Sequence, residues 1–158
     1  MKENRVIKTE RLVIRAATDE EMRLLVKNEK NAELKEAYSQ MLEFSVEYPE
    51  KREWYAAWFI ELRDGQRVGD LCFKGLNDDG SVEIGYGLLD EYQGKGYATE
   101  AVIAATGWAS RRDGVTRVEA ETDEDNVRSK RVLEKAGYVP TGEYGEEGPR
   151  FVWKGKAR

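Results

Sequence analysis

Two glycines flank a lysine just before a helix-forming segment, and this spacing is the first feature of the sequence that could do chemistry. Residues 93–98 read QGKGYA, and alanine-rich periodicity of three and four residues follows. Backbone N–H groups at a helix N-terminus are unpaired and carry partial positive charge, and glycine lets an anion come close to them. The stretch therefore predicts an anion site, which we interpret as a pyrophosphate site.

Two known phosphate motifs do not fit this stretch. A Walker A loop needs Ser or Thr after Lys95 and a glycine where the chain has Leu89. A dinucleotide fingerprint needs Gly or Ala where the chain has Thr99. A purely structural loop stays an alternative, because two glycines before a helix are a weak signal by themselves.

The composition excludes several other kinds of chemistry. The chain has no histidine, which removes Ser-His and Cys-His catalysis and most zinc sites, so we expect no metal. Its single cysteine, Cys72, excludes an intrachain disulfide and lies in a strand-like run, as expected of a core residue rather than a nucleophile. The formal net charge of -5 argues against nucleic-acid binding and favours a cationic guest such as an amine.

The length of 158 residues predicts one domain, residues 1–158. The N-terminal stretch has charges every few residues and no apolar run that suits a signal peptide. Nowhere do about 18 uninterrupted apolar residues occur, so we expect no membrane span and a cytoplasmic location.

Periodicity and turn residues predict an α+β fold in the order β-α-α-β-β-β-α-β-α-β-β. Early antiparallel hairpins and a later strand-helix-strand crossover indicate a mixed, mostly antiparallel central sheet with helices on both faces. Strands are predicted at 11–16, 58–62, 67–73, 82–89, 117–122, 138–143 and 151–154. Helices are predicted at 19–27, with Thr18 or Asp19 as cap, and at about 32–40, 97–113 and 126–136.

Three stretches, in this order, resemble the GNAT superfamily of N-acetyltransferases. QGKGYA is similar to the acyl-CoA pyrophosphate loop of that family through Gln93, Gly96 and Ala98. TERLVIR at 9–15, EIGYGLLDEYQGKGYATEA at 83–101 and NVRSKRVLEKAGY at 126–138 are similar to the branch of the ribosomal-protein N-terminal acetyltransferases. The resemblance covers essentially the whole chain and implies a GNAT-like fold, acetyl-CoA as cosubstrate and a primary amine as acceptor.

The resemblance also implies roles along the strand at 82–89, beside which the pantetheine chain lies in the family. Gly85 and Gly87 leave one face open, and a bulge near Gly87 is expected to turn the N–H of Leu88 toward the thioester oxygen. Glu83, on the open face, is the expected general base acting through water. The expected coenzyme-binding residues are Gly87, Leu88, Leu89, Gln93, Gly94, Lys95, Gly96, Tyr97, Ala98, Thr99, Asn126 and Ser129.

The helix after residue 126 should supply the rest of the site. Asn126, Ser129 and Leu133 share one of its faces, which we expect to line the coenzyme cleft. Much of the superfamily has a thiolate-protonating tyrosine at the position of Leu133, so the resemblance leaves Ser129 as the expected donor. Asn126 is a catalytic candidate that could equally cap the helix. Candidates for the phosphates are Lys95, Arg128, Lys130 and Arg131, unless this charge run is only a solvated face.

The acceptor stays open between a protein N-terminus and a small-molecule amine. At pH 7, deprotonation costs about 1.4 kcal/mol for an α-amine of pKa about 8 and about 4.6 for a lysine of pKa about 10.4, which favours an α-amine or another amine of low pKa. The acceptor pocket is expected between the two early helices and the hairpin loops. The protein is expected to be a monomer or homodimer. Two rival functions are a noncatalytic acyl-CoA binding or sensing domain and a nucleotide-binding protein.

Overall fold

A computed structural model describes residues 5–155 of the protein. The strands are β1 (Val6–Lys8), β2 (Leu12–Ala16), β3 (Trp58–Leu62), β4 (Arg67–Cys72), β5 (Ser81–Leu88), β6 (Arg117–Glu121), β7 (Tyr138–Tyr144) and β8 (Pro149–Trp153). The helices are α1 (Asp19–Asn28), α2 (Ala32–Glu47), α3 (Arg52–Tyr55), α4 (Tyr97–Ser110) and α5 (Val127–Lys135), with single 3-10 turns at Pro49–Lys51 and Asp90–Tyr92.

The eight strands form one sheet in the order β1-β2-β3-β4-β5-β6-β8-β7. Every neighbouring pair is antiparallel except β5 and β6, which are parallel and joined by α4. Because only this pair is parallel, the predicted mixed, mostly antiparallel α+β fold is confirmed. The predicted order of elements is also confirmed, with β1 and α3 added to it.

The two faces of the sheet bury different clusters, and helices cover both. On one face, the rings of Trp58, Phe73 and Trp108 pack at centroid distances of 5.0–5.7 Å, together with side chains of α4 and α5. On the other, Phe59 packs with Met22 of α1 and the second half of α2. We call the latter the α2 face. Trp54 of α3 also lies in the first cluster.

Local signals define the starts of three helices. Thr18 and Glu21 form a reciprocal capping box at the start of α1, and Asn31 accepts from the N–H of Leu34 at the start of α2. Asn126 caps α5 in the same way. No helix within residues 5–155 combines the length and apolar character that a membrane crossing needs.

The structure corrects several predicted bounds. β1 was missed because three residues carry too little periodicity, and its backbone is paired only through β2. α2 runs on to Glu47 rather than 40, because Met41 and Leu42 pack on the Phe59 cluster and Pro49 ends the helical run. α4 ends at Ser110, three residues before the predicted end, where tighter turns replace the helical hydrogen bonds.

A divergence of β5 from β6 opens the sheet. The two strands pair only over Ser81–Ile84 and Arg117–Ala120, whereas β5 continues to Leu88. The last four residues of β5 therefore have β4 on one side and no strand on the other. This gap lies directly before the glycine-rich stretch and beside the start of α5.

Candidate functional site

A cavity of about 700 Å³ occupies the gap beside the end of β5, within the range of ligand sites. It lies between β5, the glycine-rich stretch and α5. Nine of the twelve predicted coenzyme-binding residues line it: Gly87, Leu88, Gln93, Gly94, Gly96, Ala98, Thr99, Asn126 and Ser129. Leu89, Lys95 and Tyr97 do not. The structure thus brings together most of a residue set that spans four separate elements of the sequence.

The glycine-rich stretch presents unpaired backbone donors. Gly94 and Gly96 have φ values of 80° and 84°, the left-handed region that other residues adopt at a cost. Gly96 is the N-cap of α4 and offers no side-chain cap. Within the described part of the chain, none of the N–H groups from 94 to 99 donates a hydrogen bond to a protein acceptor. Six donors at a helix N-terminus thus lie in and around the wall of the cavity.

Arg11, in the TERLVIR stretch, braces this loop from outside the cavity. Its guanidinium donates to the Lys95 carbonyl at 2.9 Å, pairs with Glu100 at 2.7 Å and lies 4.5 Å from the centre of the Tyr97 ring. Thr9 donates to the other oxygen of Glu100 at 2.6 Å. Burial raises the pKa of Glu100, but the hydrogen bonds from Thr9 and Arg11 outweigh it and lower that pKa overall.

The backbone of Leu88 faces the gap. β4 pairs with β5 from Gly69↔Leu88 to Cys72↔Gly85 without a register shift, so the bulge predicted near Gly87 is wrong. The Leu89 N–H donates to the Val68 carbonyl, and antiparallel pairs alternate, so the N–H of Leu88 points away from β4. The regular alternation of N–H directions along β5 thus exposes the N–H of Leu88 without a bulge.

Ser129 and Asn126 meet at the start of α5. The Asn126 side-chain oxygen accepts from the Ser129 N–H at 2.9 Å, so Asn126 is the helix cap considered above. The Ser129 hydroxyl lies 2.8 Å from the hydroxyl of Tyr86 on β5. Burial raises the pKa of Tyr86, although the hydrogen bond with Ser129 opposes this. Two hydroxyl groups therefore share one hydrogen bond at the cavity wall.

Leu133 does not belong to this site. It was expected to share the cleft-lining face of α5, but it is fully buried in the main core cluster. Tyr86 lines the cavity instead, although it is not among the predicted site residues, which were sought on the open face of the strand. The signal was available, since a hydroxyl at the end of an otherwise apolar face needs a partner when it is buried.

Glu83 lies outside the cavity lining, on the α2 face of the sheet. One of its carboxylate oxygens is 2.9 Å from the Lys74 ammonium, and the other is 3.3 Å from the Arg150 guanidinium. Arg150 also binds Glu119 and Glu121, so three carboxylates converge on it. The role of Glu83 as a base stays a prediction, and the structure shows its two oxygens engaged by cations.

Three cations line the cavity from α5: Arg128, Arg131 and Lys135. None of them pairs with a carboxylate among residues 5–155. Lys130 does not line the cavity. Free positive charge on one wall and free N–H donors on another suit a ligand with several phosphates, despite the acidic balance of the whole chain. Within residues 5–155, no group of three or more His, Cys, Asp or Glu side chains is arranged so that it could hold a metal ion.

Two proteins of Bacillus subtilis (strain 168) resemble the chain in sequence. The uncharacterized N-acetyltransferase YjdG is 34% identical over 87 residues, 54% of this chain. The match spans 52% of the length of YjdG, about half. The uncharacterized N-acetyltransferase YoaA is 28% identical over 151 residues, covering 87% of this chain and 84% of YoaA.

Solved structures share the fold. A Vibrio cholerae spermidine N-acetyltransferase in complex with CoA and spermine has a TM-score of 0.72 at 16% identity, covering 91% of this chain and 95% of that one. The ribosomal-protein acetyltransferase RimL, in complex with coenzyme A, has a TM-score of 0.70 at 18% identity, covering 93% and 94%. The family model of the GNAT acetyltransferase domain matches residues 8–139, most of the chain. The chain therefore belongs to the GNAT family of N-acetyltransferases.

Proposed function

We propose that residues 1–158 form one N-acetyltransferase domain that moves an acetyl group directly from acetyl-CoA to a primary amine in a ternary complex. The main support for this proposal is the set of free N–H groups at 94–99, which lie beside a cavity that extends to Ser129. These donors would hold the pyrophosphate. Arg128, Arg131 and Lys135 would neutralise phosphate charge from α5.

The chemistry needs a donor for the developing oxyanion and a proton for the leaving thiolate. The N–H of Leu88 points into the gap left by β6 and would hold the thioester oxygen. Ser129, hydrogen-bonded to Tyr86, would donate to the sulfur, and Tyr86 would orient or reprotonate it. Asn126 would act by fixing the first turn of α5 and thereby the position of Ser129.

The acceptor would reach the thioester from the α2 face over Gly87, where a Cβ atom would meet nothing within 4 Å. Glu83 is the base that the sequence analysis expects on this face. The acceptor stays open between a protein N-terminus and a small-molecule amine, and an α-amine or another amine of low pKa suits the site better because its deprotonation at pH 7 costs less. We expect the enzyme to act in the cytoplasm as a monomer or homodimer, without nucleic acid, membrane or metal.

The first test measures coenzyme binding. Calorimetry with CoA should detect binding, and Arg131→Glu should weaken it at least tenfold. The matched control is Lys130→Glu on the same helix, which carries the same charge change outside the cavity lining. Equal loss in both variants would show only a general charge effect, and no binding by the unmodified protein would refute the assignment.

The second test measures turnover. Acetyl-CoA consumption should be screened over N-terminal peptides, polyamines, amino acids and aminoglycosides, with at least one class giving saturable turnover. A protein that binds CoA and acetylates none of these amines would instead be an acyl-CoA binding or sensing domain. The buried Leu133 at the usual tyrosine position is the observation that favours this second candidate.

A further inference from the structure

Asp70 is a carboxyl group beside the end of β5 that the expected mechanism does not use. It lies on β4 directly opposite Gly87, the β5 residue whose backbone lines the coenzyme cavity. Side chains of directly opposed residues point to the same face, about 4.5–5.5 Å apart at Cβ. Asp70 therefore lies on the α2 face, next to Gly87, whose backbone lies between this face and the coenzyme cavity.

The space beside Asp70 over Gly87 is open. A Cβ atom built on Gly87 would have no atom within 4 Å, whereas one on Gly85 would meet the Lys74 side chain at 3.1 Å. A ligand atom above Gly87 would thus face the Asp70 carboxyl group from one side. Because Gly87 has no side chain, this ligand atom would be separated from the coenzyme cavity only by the backbone.

The hydrogen bonding of Asp70 leaves one oxygen available. Tyr38 of α2, only 7% exposed, donates to Oδ2 at 2.7 Å, and Oδ1 has no hydrogen-bond partner in the described part of the chain. Burial raises the pKa of Asp70; the Tyr38 hydrogen bond and the charge of Arg67 oppose this, and the charge of Glu29 adds to it. Glu83 differs, since both of its oxygens contact cations.

We propose that Asp70, rather than Glu83, takes the proton from the acceptor amine above Gly87. This inference rests on the proposed acetyltransferase function. The ammonium gives one proton to the Asp70 carboxylate, and the neutral nitrogen attacks the thioester carbonyl, so that the C–N bond forms and the C–S bond breaks. The second N–H proton ends on the thiolate through the Ser129 hydroxyl or water. Asp70 then returns its proton to solvent.

The rival explanation is structural, with the Tyr38 bond anchoring α2 to the sheet. Two variants of the full chain separate the explanations. Asp70→Asn keeps an oxygen that accepts from Tyr38 but removes the base, whereas Tyr38→Phe removes the bond but keeps the base. Asp78→Asn, an exposed aspartate in the β4–β5 connection, is the matched control.

Steady-state kinetics should use the best amine from the screen, with spermidine and a serine-initiated peptide as fixed probes. Asp70→Asn should lower kcat at least 100-fold, with CoA affinity and KM for acetyl-CoA within threefold of the unmodified protein. Asp78→Asn should change nothing. In Tyr38→Phe the acidic limb of the kcat profile should move to higher pH, because that hydrogen bond holds the pKa of Asp70 down.

Three results would overturn the proposal: Asp70→Asn with kcat within threefold of the unmodified protein, Glu83→Gln with the larger loss of kcat, or equal losses in the Asp70 and Tyr38 variants with an unmoved pH profile. The Tyr38→Phe profile keeps the test decisive even if Asp70→Asn misfolds. If the unmodified protein acetylates no amine, the proposed function fails, and this inference fails with it. If it acetylates an amine and Asp70 is dispensable, only the inference fails.

Discussion

Removal of the Arg11 side chain should weaken coenzyme binding although Arg11 lies outside the cavity lining. Its guanidinium bonds to the Lys95 carbonyl at 2.9 Å, pairs with Glu100 at 2.7 Å and stacks on Tyr97. Its side chain is 43% exposed, so the ion pair contributes only about 0.5 kcal/mol. The carbonyl hydrogen bond adds about 1 kcal/mol and the ring contact about 0.5.

These contacts should stabilise the coenzyme-binding conformation of the loop by about 1–2 kcal/mol in total. Loss of that stabilisation lowers the fraction of molecules with a competent loop, and the apparent Kd rises in proportion. Arg11→Ala should therefore raise the Kd for CoA about 5- to 30-fold. Glu100→Gln should have a smaller effect, and the double variant should fall short of additivity because the two side chains touch.

Calorimetry with CoA at fixed ionic strength is the assay, accompanied by the free energy of unfolding in urea. Lys8→Ala, an exposed cation on the neighbouring β1, is the matched control and should leave the Kd unchanged. If the Kd of Arg11→Ala stayed within twofold of that of the unmodified protein, Arg11 would not stabilise the loop in the way described. An equal effect in the Lys8 variant would also refute that role, since it would indicate bulk electrostatics.

Three further outcomes are expected. Tyr86→Phe should lower kcat about tenfold with little change in KM for acetyl-CoA, because Ser129 loses its hydroxyl partner; an unchanged kcat would contradict this. The hydrogen bond from Arg15 lowers the pKa of Glu21 from 4.5 to about 2. In urea titrations, the protein should therefore be more stable than the Glu21→Gln variant above pH 4.5, and this difference should disappear as the pH falls toward 2. A difference that does not depend on pH would contradict this. Desolvation of the half-buried Cys72 thiol raises its pKa to about 11, so iodoacetamide at pH 8 should alkylate the native protein roughly 100-fold more slowly than the unfolded chain, and equally fast labelling of both would contradict the raised pKa.

Local features were predictable because they depend on neighbouring residues. Positive φ at Gly94 and Gly96, and the helix start that follows them, are properties of a short segment, so the glycine-rich stretch and the start of α4 could be recognised from the sequence. The same holds for the capping residues Thr18 and Asn126. The end of α2 was misplaced because packing on the Phe59 cluster, rather than local periodicity, extends that helix.

The family, the order of elements and the glycine-rich loop could be recognised without the fold, because each depends on patterns within short segments of chain. The contacts between distant side chains, in contrast, follow from the fold. Tyr86 reaches Ser129 across 43 residues, Tyr38 reaches Asp70 across 32, and Arg150 reaches Glu83 across 67. Such contacts depend on strand register and on the packing of helices against the sheet, which no local pattern specifies. The glycine-rich stretch could therefore be located from the sequence, whereas the partners of each candidate acid and base could not.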